Sequence, residues 1–471
     1  MRNDRAEHRH STLLPVDPGS NPTPHTYYRV ARFLSFLFQA LLGVKRAWGI
    51  TVMWQRVFLV IMSITILSTV TAGDTLDVLA IGQVLPGESP LDAWFDADPL
   101  VDYVLVPTEM DFTSNLPIFN SKKLEEAWRR FIRLYFPKTR KALVEGFEFL
   151  VFPDGNLNYF TANQIADMKY AIENGVGSFV TMGGGMATVT GYTSVWISSS
   201  LSEVLPLDLT DKMKQDATSG FSIKVVKTDP PVLSMFVPLG IEKVIGSYAF
   251  TYLYPQPGAT IWGKLISHVH KLPSDAPGDW LVSWKFGSAG GGLSWVVADD
   301  LDSTWWSSIH RQSQNEYAGD VFFNILLYST GRSLPENIFI IHDLRGRYLH
   351  YNREKGFLIS LLDFIDRFGA NTRNVERQMG NVDLLKDESY DAYRAAEFEE
   401  ALLLIDEAFE EIISISVDAM TLKERALFWV YMTEWLVITG TLLFSCSAVY
   451  SLMIKKRIYR EVTVTRLKFP D

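Results

Sequence analysis

The chain of 471 residues contains a single cysteine, Cys446. One thiol cannot form an intramolecular disulfide or a zinc site of the four-cysteine type, so a disulfide-stabilised scaffold is excluded. The chain also lacks a P-loop, a dinucleotide-binding glycine fingerprint, a metalloprotease HExxH motif and an Asn-x-Ser/Thr acceptor for N-glycosylation. No cofactor and no metal site is therefore indicated by a motif.

Charge is distributed unevenly along the chain, whose net charge is −10. Residues 1–56 are net +5, residues 455–471 are net +4, and the part between them is net −19. Basic flanks of membrane segments stay on the cytoplasmic side, so we expect the acidic middle of the chain outside the cytoplasm and anchored at the cell membrane. A strongly acidic middle also argues against a nucleic acid partner.

The apolar stretch at residues 426–454 predicts a transmembrane helix followed by a basic cytoplasmic tail at 455–471. Residues 437–454 are 18 residues without a charge, long enough to cross the hydrocarbon core. Glu434 interrupts the apolar stretch, and we place it at the outer interface, with pairing to a partner helix as the alternative. Aromatic side chains on one side and basic ones on the other mark the two interfaces: Trp429, Tyr431, Trp435, Lys455, Lys456 and Arg457.

A second apolar stretch, residues 57–70, lies near the N-terminus. Arg56 precedes it, and Val70 and Ala72 are small residues of the kind that signal peptidases accept. We therefore expect residues 53–72 to be a signal peptide, with an uncleaved signal anchor as the alternative. Residues 1–52 show no consistent period and are expected to be disordered or to precede the true start of the protein.

Residues 74–335 read as an α/β domain. Near-continuous apolar runs predict strands at 76–81, 101–106, 147–152 and 178–182, and such runs are typical of a sheet covered on both faces. Amphipathic patterns between the strands predict helices at 122–135 and from Thr161, where Thr161 and Gln164 match a capping box. Strand, helix and strand with short links indicate parallel crossovers and a doubly wound sheet.

An ordered series of motifs follows the third predicted strand. Asp154 ends that strand, the fourth strand runs into Gly183-Gly-Gly-Met186, and residues 200–207 read Ser-Leu-Ser-Glu-Val-Leu-Pro-Leu. This series resembles the glutamine-amidotransferase-like family, a branch of the class I amidotransferase fold, over about residues 76–335. Looser matches are a closing hairpin at 280–299 that ends in Asp299, the Trp305-Trp306 pair and the helix at 320–328. The resemblance implies a flavodoxin-like parallel sheet.

The departures from active amidotransferases concern the nucleophile. Those enzymes carry a cysteine on a tight turn between strand and helix, whereas this turn reads Met182-Gly-Gly-Gly-Met186 and no late His-x-Glu pair exists. We therefore predict no catalytic residues and a pseudoenzyme. Its glycines either only permit the turn or form a nest of amides that holds an anion. The hypothetical ligand cleft consists of Asp154, Gly183, Gly184, Gly185, Met186 and Asp299.

Histidine and tryptophan offer weaker candidates. His268 and His270 share one face of an extended segment, but no third metal ligand lies nearby in sequence. His310 and His342 are expected to be structural or exposed, although His342 ends a strand-like Ile-Phe-Ile-Ile run. Five tryptophans could line a sugar-binding surface or pack in the core: Trp280, Trp284, Trp295, Trp305 and Trp306.

Residues 336–425 are predicted to be helical and to lead as a stalk into the transmembrane helix. One helix is expected at 357–368 and a long acidic one at 390–420. The apolar stripe of the long helix could pack on the α/β domain, pair in a homo-oligomer or receive a membrane partner protein. The stripe consists of Phe398, Ala401, Leu402, Ile405, Phe409, Ile412 and Ile413.

Three functions remain open from the sequence. The first is a non-catalytic, membrane-anchored module for ligand sensing or assembly. The second is a hydrolase that uses Asp154 or His310 at the strand ends instead of a cysteine. The third is an auxiliary subunit of a membrane transporter.

Overall fold

A computed structural model describes residues 75–466 except for 86–88, 109–120, 184–195, 210–214, 217–219, 247–249, 269–277, 288–289 and 307–314. The predicted signal peptide or anchor at 53–72 and the segment 1–52 therefore lie outside the described residues. So do Gly184, Gly185 and Met186 of the predicted ligand cleft.

The first half of the α/β part alternates strands and helices as predicted. Its elements are β1 (Leu76–Gly82), α1 (Leu91–Ala97), β2 (Val101–Pro107), α2 (Ser121–Tyr135), α3 (Arg140–Gly146), β3 (Phe149–Phe152), α4 (Ala162–Glu173) and β4 (Gly177–Thr181). The capping box at the start of α4 is confirmed: the Thr161 amide donates to Gln164 Oε1 at 2.9 Å, and the Gln164 amide donates to Thr161 Oγ1 at 3.3 Å.

The second half of the α/β part contributes mostly antiparallel strands. Its elements are β5 (Gln215–Asp216), β6 (Phe221–Val225), β7 (Phe250–Thr251), β8 (Thr260–Ser267), β9 (Asp279–Lys285), β10 (Leu293–Val297) and α5 (Ala318–Ser329). The predicted closing hairpin is present as β9 and β10, which pair antiparallel.

Within the described residues, eight strands form a mixed sheet in the order β2-β1-β3-β4-β10-β9-β8-β6. The first five strands of this order pair in parallel, whereas β9, β8 and β6 are antiparallel. The prediction of a parallel sheet is thus correct for one side of the sheet and wrong for the other. Only residues 286–292 join β9 to β10, too few for the helical crossover that a parallel connection needs, so the chain reverses there and β9 runs antiparallel to β10.

The core lies on both faces of the sheet. All four residues of β3 are buried, and β1 is buried from Val78 to Gly82. This burial agrees with the apolar composition of the two strands, since a strand in the centre of a covered sheet has no solvent face. Helix α5 adds eight buried residues to the same core, seven of them consecutive from Asp320 to Leu326.

Three helices follow the sheet and pack on one another. They are α6 (Ile338–Asp366), α7 (Arg373–Arg394) and α8 (Phe398–Arg466). The predicted strand-like run at 338–341 is wrong, because Asn337 caps a helix there by accepting from the amides of Phe339 and Ile340. The predicted single helix at 390–420 is also wrong: the chain turns between α7 and α8, with Ala396 at φ +61°.

The apolar stripe predicted on the long helix is covered within the chain. Ala401, Ile405 and Ile412 are fully buried and belong to one core with residues of α6 and α7. Ile413 is exposed. The region is therefore a three-helix bundle in which α8 packs on α6 and α7, and not a lone stalk.

Helix α8 changes character along its length of 69 residues. Its first part is packed in the bundle as far as Ala419 and Ala426, and every residue from Tyr431 to Arg460 is exposed. An 18-residue window of this exposed part is apolar enough to cross a membrane, and none of it is buried. At 1.5 Å per residue α8 is roughly 100 Å long, so it extends well beyond the bundle.

Candidate functional site

Polar residues gather where the parallel strands end. Strands β1, β3, β4 and β10 are successive neighbours in the sheet, and all four point the same way. Gln83, Asp154, Gly183, Asp299 and Asp300 follow their carboxyl ends. Because parallel strands end at one edge, residues far apart in sequence lie at the same edge of the sheet. The sequence analysis placed its hypothetical ligand cleft, with Asp154, Gly183 and Asp299, at this edge.

Asp154 is held in an unusual backbone conformation. Its φ is +47°, in the left-handed region that non-glycine residues enter at a cost of about 1–2 kcal/mol. The Asp154 amide donates to Thr181 Oγ1 at 2.9 Å, which ties the end of β3 to the end of β4. On the other side, a Cβ at Gly82 would lie 1.8 Å from the carbonyl oxygen of Pro153. The hydrogen bond to Thr181 and the close approach of Gly82 to Pro153 together fix the backbone around Asp154, which is buried at this edge of the sheet.

Gly183 lies directly against a second carboxylate, Asp300. The Gly183 amide donates to Asp300 Oδ1 at 3.0 Å, and a Cβ on Gly183 would lie 2.3 Å from the Asp300 carboxyl group. A carboxylate thus occupies the position at this amide that an anionic ligand would need. The anion-nest interpretation therefore fails at Gly183, and the glycine is explained by the close approach of Asp300.

Asp300 is a site residue that the sequence reasoning missed. Asp299 and Asp300 are adjacent after β10, and the family motif directed attention to the first of them. The two side chains have different partners: Asp300 accepts from the Gly183 amide, whereas Asp299 accepts from core donors. The only feature of the sequence that pointed to Asp300 was its position next to Asp299.

Asp299 is a buried anchor of the aromatic core. It is fully buried; Oδ1 accepts from the indole N–H groups of Trp280 at 3.1 Å and Trp306 at 3.0 Å, and Oδ2 accepts from Ser303 Oγ at 3.0 Å. Burial raises the pKa of the Asp299 carboxyl to about 7, against the lowering effect of these donors. The Asp299 carboxyl group therefore faces the protein interior, where side chains of the protein already donate hydrogen bonds to it.

The tryptophans belong to the core and not to a sugar-binding surface. Trp280, Trp295, Trp305 and Trp306 are at most 1% exposed, and Trp280 and Trp306 stack with ring centroids 5.6 Å apart. Trp284 is half-buried and donates to the carbonyl oxygen of Val204. Of the two interpretations left open by the sequence, core packing is the one that holds for the four buried rings, because a ligand cannot reach them.

The described histidines have structural contacts. His268 Nε2 lies 3.0 Å from Ser222 Oγ, and His342 Nδ1 lies 2.7 Å from Asp320 Oδ2. His270 and His310 lie outside the described residues. Among the residues that the structure describes, no group of three or more His, Cys, Asp or Glu side chains is arranged to hold a metal ion. Cys446 lies on the exposed part of α8.

A buried ion network joins the α/β part to the helical bundle. Arg345, 6% exposed on α6, forms an ion pair with Asp98 at 2.6 Å and another with Asp320 at 2.5 Å. Tyr393 of α7 donates to the same Asp98 oxygen at 3.3 Å. The Asp320 hydrogen bond raises the pKa of His342, which shares this carboxylate. The sequence analysis did not predict this network. The only feature of the sequence that pointed to it was Arg345, an arginine on the apolar face of a helix.

Comparisons with known proteins do not assign the chain to a family. No protein-family model and no curated protein matches the chain. Solved structures similar to it include "Cytoplasmic Protein STM3548 from Salmonella typhimurium", with a TM-score of 0.39, 16% identity, and coverage of 54% of this chain and 99% of that one. "Cytoplasmic Protein STM1381 from Salmonella typhimurium LT2" has a TM-score of 0.35, 15% identity, and coverage of 54% and 99%.

A third solved structure, "mmIFT52 N-terminal domain", has a TM-score of 0.25, 11% identity, and coverage of 45% of this chain and 93% of that one. Likenesses at this level assign neither fold nor function. On its own structure, the chain is a mixed α/β protein with an eight-stranded sheet, a helical C-terminal part and one long apolar helix among its described residues, which could anchor it in a membrane.

Proposed function

We propose that this protein is a membrane-anchored, non-catalytic module whose α/β part lies outside the cytoplasm and serves in ligand sensing or assembly. The observation that carries the proposal is the continuity of α8. The same helix is packed into the bundle at Ala401 to Ala419 and is exposed and apolar at 437–454. At 1.5 Å per residue those 18 residues span about 27 Å, close to the thickness of a hydrocarbon core.

The α/β part is proposed to be a doubly wound, amidotransferase-like domain. The parallel strand order β2-β1-β3-β4-β10 supports this assignment, because it is the order of flavodoxin-like sheets with β10 as the fifth strand. The elbow after β4 carries glycine where a nucleophile would stand. The Gly183 amide is bonded to a carboxylate, which would repel the oxyanion that such enzymes stabilise. These features support a role in binding over one in covalent catalysis.

The buried Arg345 network supports a role in assembly. Its charges join α1, α5 and α6, with Tyr393 of α7 alongside, so the α/β part is coupled to the bundle through paired ions. Such fixed contacts would couple the position of the sheet to the bundle in which α8 is packed.

The single native cysteine provides the test. Cys446 lies in the predicted span, so in intact cells a membrane-impermeant maleimide should not react with it, and after denaturation in detergent it should. In a Cys446→Ser background, Thr421→Cys should react in intact cells. Thr463→Cys, beyond the span, should react only after the membrane is permeabilised. Reaction of Cys446 in intact cells, or of Thr463→Cys before Thr421→Cys, would refute the proposed topology.

A second measurement addresses assembly. The tagged full chain is extracted in mild detergent, and the proteins that co-purify are identified. A chain that ends at residue 425 provides the matched control. A stoichiometric membrane partner that is lost with the span supports the assembly role, whereas turnover of an amide substrate by the purified chain, abolished by Asp154→Ala, would contradict it.

A further inference from the structure

The turn between α6 and α7 carries an exposed aromatic pair. Phe364 and Phe368 are 41% and 39% exposed, and their rings contact each other edge to face with centroids 4.8 Å apart. Helix α6 ends at Asp366, and Phe368 and Gly369 lie in the turn that follows, with Gly369 at φ +74°. The inner side of the same turn of helix, at Ile365, is fully buried in the bundle core. The end of the hairpin therefore has one packed side and one apolar side that nothing in the described chain covers.

The register between α6 and α8 places this aromatic pair along the long helix. Arg347 pairs with Asp406, a separation of 59 residues in the chain, and His350 lies against Phe409 at the same offset. Both helices rise by 1.5 Å per residue and run side by side in the same direction. The same offset brings Phe364 level with Lys423 and Asp366, the last residue of α6, level with Arg425. Phe368 lies in the turn that follows.

That level is the start of the membrane-interface segment of α8. Phe428 and Trp429 follow shortly after, and both are exposed. Trp and Tyr concentrate at the level of lipid headgroups. Phe is among the residues that interfacial helices bury at the boundary between headgroups and acyl chains. The hairpin end thus reaches the same height as the first aromatic residues of the predicted span, on a separate helix.

The charges at the hairpin end favour apolar contact over electrostatic attraction. Residues 363–377 contain three acidic and three basic side chains. Arg367 forms an ion pair with Asp363 at 2.6 Å. A balanced end has no preference for anionic lipid. A zwitterionic bilayer should therefore be sufficient for contact.

We propose that the α6–α7 hairpin end, through Phe364 and Phe368, inserts into the headgroup region of the bilayer that α8 crosses. This inference rests on the proposed membrane anchoring. It adds a second contact point, which would fix the bundle upright on the membrane surface instead of leaving it free to tilt about α8.

Depth-dependent quenching tests the proposal on the full chain. In a Cys446→Ser background, a single NBD fluorophore is attached at Arg367→Cys, which lies between the two phenylalanines and leaves both in place. The protein is reconstituted in phosphatidylcholine vesicles that carry a nitroxide either near the headgroup or near the middle of the acyl chain. We expect blue-shifted emission and a greater loss of fluorescence with the headgroup nitroxide.

Two reference positions separate this inference from the proposed function. Leu443→Cys, inside the span, should be quenched most by the mid-chain nitroxide. Leu403→Cys, exposed on α8 and about 36 Å above the level of Leu427, should be quenched by neither. If Leu443→Cys is unquenched, membrane anchoring itself fails. If Leu443→Cys is quenched and Arg367→Cys behaves like Leu403→Cys, only the hairpin contact is overturned.

Substitution of the aromatic pair provides the complementary result. Phe364→Asp with Phe368→Asp in the Arg367→Cys background should remove the quenching at the hairpin end and leave that at Leu443→Cys unchanged. Leu384→Asp, at an exposed apolar position further up α7, is the matched control and should leave both unchanged. Retained helical circular dichroism shows that the variants fold. Quenching that survives the double substitution would overturn the assignment to these two rings.

Discussion

At the scale of single residues, Gly183 shows how one backbone position depends on a side chain far away in sequence. The Asp300 carboxyl group is 117 residues distant in the chain and accepts from the Gly183 amide. A methyl group there would lie 2.3 Å from that carboxyl, too close for any real contact. The glycine-rich turn was recognisable in the sequence, but the close approach of Asp300 that requires a glycine at position 183 was not.

We expect Gly183→Ala to destabilise the protein by about 1–3 kcal/mol, the usual cost of overpacking a buried site. The measurement is the free energy of unfolding by urea. Gly380→Ala is the matched control, because its Cβ would meet nothing within 4 Å on an exposed part of α7. It should stabilise the protein by about 0.5–1 kcal/mol. Equal stability of the two variants would contradict the contact with Asp300.

Asp299 should make stability depend on pH. Its pKa in the folded protein is about 7, well above the value of 3.8 for a free carboxyl. The folded state therefore holds a proton that the unfolded state has released, and stability falls as the pH rises from about 4 to 7. At about 1.4 kcal/mol per pKa unit, the loss is at most about 4 kcal/mol.

Asp299→Asn keeps an oxygen acceptor for the two indoles and cannot ionise, so it should flatten this dependence. The free energy of unfolding in urea, measured at intervals across the range, checks the prediction. Gly380→Ala, an exposed substitution on α7 that changes no titratable group, should leave the slope unchanged. A wild-type slope that persists in Asp299→Asn would show that another group is responsible.

At the scale of the helices and strands, Arg345 connects elements that the sequence keeps far apart. Its partner Asp98 lies 247 residues away, and Asp320 lies on a different helix. Phe323 packs under the guanidinium with its ring 4.1 Å from the central carbon. Removal of the cation would leave the buried Asp98 without its counter-ion and Asp320 with His342 as its remaining ion-pair partner.

Arg345→Met should therefore cost about 3–5 kcal/mol of folding stability, since it breaks a buried ion network from one side. Arg367→Met, an exposed residue of the same helix whose ion pair is with Asp363, should cost at most about 0.5 kcal/mol. Thermal unfolding followed by circular dichroism distinguishes the two variants. A small effect at Arg345 would mean that the network does not hold the bundle to the sheet.

His342 adds a pH dependence at the same junction. Its pKa is raised by the hydrogen bond to Asp320, with Arg345 opposing and Glu316 assisting. The stabilisation is complete below the unfolded pKa of about 6.5 and is lost as the pH rises through the higher folded value. His342→Gln should lower the melting temperature at about pH 6 and have less effect at about pH 8. The opposite order would contradict the imidazolium pair.

At the scale of the whole molecule, α8 divides the protein into a packed part and an exposed apolar part. The bundle core ends near Ala419 and Leu422, and beyond Ala426 the helix packs on nothing in the described chain. A chain that ends at residue 425 should leave the membrane fraction and unfold at the same urea midpoint as the full chain in detergent. Truncation at residue 397 should prevent folding of the bundle, because it removes Ala401, Ile405 and Ile412 from the core.

The sequence by itself determined the strands of the parallel half, the capped helix α4, the helical C-terminal part and the apolar span. Each of these depends on residues close together in the chain, through apolar runs, periodicity and local capping. Only the tertiary structure decided that β6, β8 and β9 run antiparallel, that four tryptophans are core, that Asp300 occupies the Gly183 amide and that Arg345 joins sheet and bundle. Those features depend on contacts between segments that are distant in the chain, and the energies of such contacts cannot be inferred from local sequence patterns.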